Sequence, residues 1–311
     1  MLSVELTARE GEVLCPRNAL SVSLRADLNV PADSLELLFP YSERLDRDIA
    51  GVRVLLDGKT VFNGQPDELI RQRSSGGVTL KLTARSLAAL LLDNEAEPLC
   101  YHEPSAAFIA EKHLIPFGIT EYSGAKTPFY GDMRIDKGMS HWQVLERFCV
   151  CRYGAAPRIT GDGRAILDGR SEEGTVSFGD GGIMYTELRE CRDRSRLISQ
   201  VRLRVNPQDG YNAELSNPNP DCLGITRVRY VNVRAEDTTL ATADRIIENG
   251  NRKSWSLRLS CPGCRLDALG KSASVSDALF GSFDGLRVRS VFYRSDVRGE
   301  RTVIQLEREE F

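Results

Sequence analysis

The dipeptide Asp57-Gly58 is the feature that most constrains how this chain can fold. It separates residues 51–56 from residues 59–64, two runs in which apolar and polar side chains alternate. Asp and Gly readily adopt the positive φ angles of a two-residue turn, and alternation is typical of strands with one buried face. The sequence therefore predicts an antiparallel β-hairpin whose register is set by its turn.

A two-residue loop would place Val54 opposite Val61. This register predicts one apolar face and one mixed face, because successive side chains of a strand point to opposite sides. The apolar face comprises Val52, Val54, Leu56 and Val61, and the mixed face comprises Arg53, Leu55, Thr60 and Phe62.

The period of the pattern changes after this hairpin. Residues 71–77 are polar and predict a turn, and residues 78–82 alternate as a strand. Leucines then recur at helical spacing over residues 87–91, and Pro98 limits how far that helix can extend. The expected order is hairpin, turn, strand and short helix.

Two motifs within this stretch carry a family resemblance. They are VFNG at residues 61–64, followed by Asp67-Glu68, and TARSLAALLLDNEAEP at residues 83–98. In this order they resemble the hub proteins of phage tails, a family that includes late-control D-like and Mu-like tail proteins. The resemblance covers most of the chain in pattern, since HLIPFGI at residues 113–119 and a later helix followed by a hairpin look like the family's central domain.

The resemblance implies a non-enzymatic structural hub that joins the sixfold tail tube to the threefold spike. Each chain would supply two similar β-barrels, so that a homotrimeric ring presents about six equivalent surfaces to the tube. The implied partners are the tail tube protein and the spike protein, with baseplate and tape-measure proteins as further candidates. DNA or an effector would pass through the lumen as cargo, and no cofactor is implied.

Charge and hydropathy narrow the partners further. With 41 Lys+Arg against 44 Asp+Glu, the formal net charge of -3 gives no general attraction to nucleic acid or to an anionic membrane. The longest apolar run, residues 87–92, is far shorter than the roughly 20 residues that span a bilayer, so no membrane insertion is expected. Residues 1–6 alternate like a strand and lack the features of a secretory signal, which favours the cytoplasm of the producing bacterium before incorporation into a virion or tail-like particle.

Three regions are predicted from the distribution of strand and helix patterns. Residues 1–92 hold strand candidates at a spacing typical of a small barrel or sandwich, with a charged loop between Pro40 and Ile49. Residues 93–192 mix helices with short strands, and residues 193–311 return to strands. The expected fold class is therefore α+β and β-rich, with two small β-barrel domains and an inserted α/β domain.

Helix signals are clearest in the central region. Ser140 and Gln143 form a capping box that predicts a helix start, and Gly154 is placed to end that helix. Another helix is predicted to start near Ser105. His113 lies beside its apolar stripe, where a lone histidine is expected to be packed and hydrogen-bonded rather than to bind a metal.

The last region is predicted to open with a strand over residues 197–205, which alternate strictly. Residues 206–221 are rich in Asn and Pro and predict an exposed loop. Residues 242–249 predict a helix with Gly250 near its C-terminal cap.

Eight cysteines raise the question of disulfides or a metal site. Cys261 and Cys264 have CxxC spacing, but a structural zinc site needs two more ligands, and the sequence has no second CxxC and no paired-histidine motif. We expect two reduced thiols in a turn and no metal. Cys149, on the helix after Ser140, is expected to be a small core residue.

Catalytic motifs are absent from the sequence, which has three histidines and no GxSxG, Walker-type, HExxH or GxGxxG pattern. We therefore expect no catalytic residue. One enzymatic alternative stays open, a cell-wall-degrading tail hydrolase that would use a carboxylate pair. The candidate pairs lie within Glu187 to Glu190 and within Asp93 to Glu97.

A carbohydrate or host-surface binding module is the other alternative. Such a module would need an exposed aromatic platform. Aromatic residues make up only 7% of the chain, and Trp142 and Trp255 lie in periodic segments typical of a core. The composition therefore favours the structural hub.

Two hairpins are candidates for contacts between chains, since a ring needs an edge strand or hairpin that can pair with its neighbour. One covers residues 51–64, and the other covers residues 286–306 with a loop at residues 295–299. The candidate interface residues are Val54, Asp57, Gly58, Val61, Phe62, Val291, Tyr293 and Ile304.

Overall fold

The architecture is that of a computed structural model, in which residues 2–124, 131–170, 172–204, 206, 208, 210–232 and 239–309 are described. The chain forms two compact units. The first contains Met1–Ser171, Pro262–Leu269 and Ser290–Val303, and the second contains Glu172–Cys261, Gly270–Arg289 and Ile304–Phe311. These two compact units do not test the predicted division into three regions, which stays a prediction.

Within its described residues, the first unit begins with a run of seven strands and continues with three helices and four short strands. The strands are β1 (Leu2–Ala8), β2 (Val13–Leu14), β3 (Ser21–Asp27), β4 (Ser34–Pro40), β5 (Ile49–Leu56), β6 (Lys59–Ser74), β7 (Gly77–Ser86), β8 (Cys100–His102), β9 (Asp132–Arg134), β10 (Arg158–Ile159) and β11 (Ala165–Ile166). The helices are α1 (Ala88–Asp93), α2 (Ala106–His113) and α3 (His141–Tyr153).

The second unit also mixes strands with a helix. Its elements are β12 (Thr175–Gly179), β13 (Glu187–Arg192), β14 (Gln200–Arg204), β15 (Ala213–Ser216), β16 (Val228–Asn232), α4 (Thr239–Ser254), β17 (Trp255–Pro262), β18 (Ser272–Asp277), β19 (Gly281–Asp296) and β20 (Gly299–Arg308). The two long strands β19 and β20 contribute residues to both units. The protein is therefore β-rich, as the sequence predicts.

A large antiparallel sheet forms most of the first unit, in the order β3-β4-β7-β6-β5-β1-β2. Residues 290–295 of β19 add to it by pairing with β3. Each long strand buries every second side chain, which is the expected result of a period of two with one face toward the core. The buried set includes Leu6, Leu24, Leu37, Val54 and Leu82.

The three helices of the first unit bury one apolar stripe each in a separate cluster. Ile109 of α2 packs there with Leu145 and Phe148 of α3, and all three are buried. Cys149 belongs to the same cluster, which confirms its expected place as a small core residue. At the start of α3 the Ser140 hydroxyl accepts a hydrogen bond from Gln143 N, and the Gln143 side chain accepts one from Ser140 N. The predicted capping box is thus confirmed.

In the second unit a three-stranded sheet in the order β15-β14-β16 carries helix α4 on one face. Val201 and Leu203 of β14 pack against Ala243 and Ile247 of α4. A further set of strands includes β13 paired with β17 and β12 paired in parallel with β18. The strand predicted over residues 197–205 is confirmed for Gln200–Arg204 in β14; residues 197–199 precede it, and Val205 lies outside the described residues.

Two expectations for the second unit are wrong. Residues 213–216 form strand β15 instead of loop, because half-buried Ala213 and Leu215 pack on the core of the small sheet. Helix α4 also continues through Gly250 to Ser254. A Cβ atom at position 250 would lie 3.0 Å from the carbonyl oxygen of Arg196, so this glycine permits close backbone packing and does not end the helix.

No helix in the described part of the chain is long and apolar enough to cross a membrane.

Candidate assembly surfaces

The hairpin of β5 and β6 turns at Asp57 and Gly58, as predicted. Their φ angles are 49° and 80°, and both residues are exposed. Leu56 pairs with Lys59 across the turn. The predicted two-residue loop is confirmed, and its tip is the part of this hairpin that is open to another molecule.

The predicted register of this hairpin is wrong. Val54 lies opposite Phe62 rather than Val61, because a bulge between Val54 and Leu55 shifts the pairing by one residue. Val54 and Phe62 are therefore both buried on one face, whereas Val61 and Leu56 are only half-buried. The bulge exchanges the expected faces of Val61 and Phe62.

Most of the candidate interface residues belong to the core of the chain. Val54, Phe62, Val291, Tyr293 and Ile304 are all buried. Their side chains hold the sheet together. A contact between chains at the two hairpins would therefore use the exposed turns and the strand edges, and such a contact stays a prediction.

Strands β6 and β7 extend this surface well beyond the hairpin turn. From Gln65 to Ser74, β6 pairs with β7 on one side, and no other described strand pairs with it on the other side. Every side chain from Asp67 to Ser74 is exposed. Leu69 and Ile70 are 37% and 42% exposed. An unpaired strand edge with apolar side chains is a surface that favours pairing with another chain.

Sequence reasoning missed this edge because residues 71–77 are polar and predict a turn. In the structure β6 continues to Ser74 and the turn comprises only Ser75 and Gly76. Over residues 67–74 the outer strand β6 is exposed on both faces and needs no apolar alternation, so its sequence lacks the usual signal of a strand. The sequence signal that could have indicated this strand is the presence of the apolar residues Leu69, Ile70 and Val78 on either side of the polar run. All three are exposed in the structure.

The hairpin of β19 and β20 has a shorter turn than the predicted five-residue loop. The strands end at Asp296 and Gly299, leaving Val297 and Arg298 between them. Arg298 N donates to Asp296 Oδ1 at 2.8 Å, and this backbone bond helps to hold the pKa of the Asp296 carboxyl below its usual value. Val297 is 95% exposed at the tip.

One carboxylate in each of the two segments considered for catalysis forms an ion pair with an arginine. The Arg85 side chain hydrogen-bonds both Asp67 and Asp93, and it lowers the pKa of Asp93. Glu190 accepts hydrogen bonds from Arg192 and Trp255, which lower its pKa. A general acid of a glycosidase needs a raised pKa, so neither Asp93 nor Glu190 has the environment of that group.

The cysteines and histidines offer no metal cluster within the described residues, where no group of three or more His, Cys, Asp or Glu could hold an ion. Cys261 is buried and Cys264 is half-buried, and burial raises the pKa of the Cys264 thiol. His113 is buried and hydrogen-bonds Tyr101 and His141, which confirms the expected packed histidine.

No protein-family model and no curated protein matches the chain. Solved structures match it along its whole length. The 43 kDa tail protein of prophage MuSo2 from Shewanella oneidensis has a TM-score of 0.81 at 16% identity, covering 99% of both chains. The tail protein from Neisseria meningitidis MC58 has a TM-score of 0.78 at 18% identity, covering 99% of this chain and 96% of that one.

A more distant structure comes from a secretion machine. It is an E. coli component of the type VI secretion system that exhibits structural similarity to the T4 bacteriophage tail proteins gp27 and gp5. Its TM-score is 0.54 at 11% identity, covering 94% of this chain and 73% of that one. The fold of this chain is therefore the fold of phage tail proteins, in agreement with the resemblance of its sequence to tail hubs.

Proposed function

We propose that the protein is a structural component of a phage tail or tail-like injection particle and that it forms the hub of that particle. The observation that carries this proposal is the match over 99% of the chain to two tail proteins, one of them from prophage MuSo2. The match also covers 96% and 99% of those two chains.

As a hub the protein would form a homotrimer that joins the sixfold tail tube to the threefold spike. Two β-rich parts per chain, each closed into a small barrel, would give three chains about six similar surfaces. The tube and spike proteins would bind opposite faces, with baseplate and tape-measure proteins as further partners. DNA or an effector would pass through the central lumen.

Exposed hairpins supply the contacts that such a ring needs. A heterologous contact, in which different patches of neighbouring copies meet, closes into a ring when its rotation is right. The unpaired edge of β6 and the exposed turns at Asp57-Gly58 and Val297-Arg298 suit such a contact. The particle would assemble in the cytoplasm of the producing bacterium and retain the hub in its baseplate.

The test is the mass of the purified protein by light scattering, followed by negative-stain class averages, alone and after mixing with the tube and spike proteins of the same particle. We expect a threefold ring with a central pore. A protein that stays monomeric in every mixture would contradict the hub.

A pair of matched variants tests where the ring closes. Ile70→Lys places a charge on the exposed edge of β6, and we expect it to abolish the trimer. Val30→Lys changes a comparably exposed apolar residue in a turn and should leave the trimer intact. Loss of the trimer in both variants, or in neither, would contradict a contact at the β6 edge.

A further inference from the structure

A cavity of about 610 Å³ lies within the second unit. Its lining combines three arginines, Arg192, Arg194 and Arg308, with the indole of Trp255. The tail-hub proposal uses none of these residues. A concave site with convergent polar groups is the usual form of a binding site, so the donors of these arginines decide what it can hold.

Arg194 is positioned by backbone rather than by a carboxylate. Its Nη2 atom donates to the carbonyl oxygens of Asp221 and Leu223 at 3.2 and 2.7 Å. A guanidinium has five N–H donors in one plane. Within the described residues Nε and Nη1 of Arg194 have no hydrogen-bond acceptor, so Arg194 retains both its charge and unused donors.

Arg308 is held by an aromatic ring. Its guanidinium carbon lies 4.8 Å from the centroid of the Trp255 indole, a distance typical of cation–π contacts. The indole is fixed in turn, because Trp255 Nε1 donates to Glu190 Oε1 at 2.8 Å. Among the described residues the guanidinium of Arg308 makes no hydrogen bond, which leaves its planar fork of donors available.

The charges around the cavity favour a single carboxylate over a run of phosphates. Glu190 accepts from Arg192 Nε at 2.8 Å and also lies close enough to Arg308 to feel its charge, so this one carboxylate offsets part of the charge of the three arginines. Asp221 adds a second carboxylate to the lining. A chain of phosphates offers only acceptors and would be repelled by Asp221, whereas a peptide offers carboxylates to the arginines and backbone N–H groups to Asp221.

We propose that this cavity binds an acidic segment of a partner protein. A carboxylate of that segment forms forked hydrogen bonds with Arg194 and Arg308, and the buried side chain of Asn251 contributes polar lining beside them. This assignment goes beyond the trimer, because it gives the second unit a binding role that a ring of identical chains does not need.

The test uses an array of immobilised octapeptides in which the number of Asp and Glu residues varies, together with a single-stranded oligothymidine. We expect the full-length protein to bind peptides that carry an Asp or Glu side chain, one being sufficient, and not their Asn and Gln counterparts. Arg308→Ala should weaken this binding by about tenfold or more, the effect of losing a charge-assisted fork. Arg308→Lys should recover only part of it, since Lys lacks the planar fork.

Arg17→Ala is the matched control, because Arg17 is exposed between β2 and β3 and does not line the cavity. Thermal unfolding and light scattering of Arg308→Ala should equal those of the wild type, which separates a lost site from a misfolded or unassembled protein. Asp221→Asn is a second test variant. It removes the carboxylate that repels phosphates, so it should raise the affinity for oligothymidine. Binding of no peptide, equal loss in Arg17→Ala, or a wild-type preference for oligothymidine would each overturn the proposal.

Discussion

The Nδ1 atoms of His113 and His141 lie 2.9 Å apart, so the two histidines share one hydrogen bond. Such a bond needs one protonated and one bare nitrogen, and the pair therefore cannot carry two charges without breaking. His113 is only 2% exposed, and its Nε2 lies 3.1 Å from the Tyr101 hydroxyl. The contact joins the end of α2 to the start of α3.

This pair predicts a loss of stability in acid. Burial, with a smaller contribution from His141, lowers the pKa of His113 to about 4. The unfolded chain, with a histidine pKa of about 6.5, then binds the proton first as the pH falls. Above about pH 6.5 His113 does not lower the free energy of unfolding. As the pH falls from there toward 4, the free energy of unfolding decreases by up to about 3 kcal/mol.

Urea unfolding at pH 7.5, 5.5 and 4.5 checks this prediction. His113→Asn should show a shallower loss of unfolding free energy over this range than the wild type. His102→Asn is the control, because His102 is exposed and bound to Asp132 on the surface. An acid loss that is equal in His113→Asn and the wild type would contradict the assignment.

The buried carboxyl of Asp33 predicts a pH dependence of stability with the opposite sign. It is buried, and burial raises the pKa of its carboxyl to about 7 despite the nearby charge of Arg158. The folded state then holds this proton over a range where the unfolded carboxyl, with a pKa of about 3.9, has released it. Stability is therefore lost as the pH rises from about 4 to about 7.

Asp33→Asn should remove this loss. We expect it to raise the free energy of unfolding at pH 8 by up to about 4 kcal/mol and to change it little at pH 4. The measurement is urea unfolding at both values, with exposed Asp284→Asn as the control. A variant that is destabilised at pH 8 would show that the charged form of Asp33 is the favoured one.

Because the His113 and Asp33 effects oppose each other between pH 4 and 6.5, the wild-type profile alone cannot separate them.

Local signals in the sequence predicted those parts of the fold that local chemistry decides. The turn at Asp57-Gly58, the capping box at Ser140 and the left-handed Gly154 that ends α3 all depend on backbone geometry within a few residues. The bulge beside Val54 and the solvated edge of β6 depend on pairing with distant strands. The sequence carries no local signal for either of them.

The arginine cavity also depends on distant strands and could not be predicted from local sequence. Arg192 and Arg194 are close in sequence, but Trp255 and Arg308 reach the cavity only through the pairing of distant strands. The spacing of arginines along the chain does not indicate that these residues line the same cavity. The candidate interface residues were chosen from strand pattern, and pattern identifies apolar side chains without saying whether they face the core or another chain.

The capping box of α3 predicts a moderate local effect. Ser140→Ala removes the hydroxyl that accepts from Gln143 N, and one backbone donor at the helix start then loses its partner. We expect the free energy of unfolding to fall by about 1 kcal/mol. Ser75→Ala, in the exposed turn between β6 and β7, should be close to neutral, and an equal effect of both substitutions would argue against a capping role.

Close backbone packing predicts a larger effect at Gly161, in the turn between β10 and β11. A Cβ atom there would overlap the carbonyl oxygen and carbon of Val61, next to the bulge of the first hairpin. Backbone atoms cannot yield as a flexible side chain does, so the turn and the hairpin would have to move apart. We expect Gly161→Ala to lower the free energy of unfolding by about 2 to 3 kcal/mol.

Gly210→Ala is the matched control for this substitution. A Cβ atom at Gly210 meets no atom within 4 Å, and its φ is not in the left-handed region. It should be neutral or slightly stabilising, because alanine reduces the freedom of the unfolded chain. Urea unfolding of the two variants gives the comparison. If Gly161→Ala proved as stable as Gly210→Ala, the turn between β10 and β11 would not be seated against Val61, and the first hairpin would be free to move independently of the helical cluster behind it.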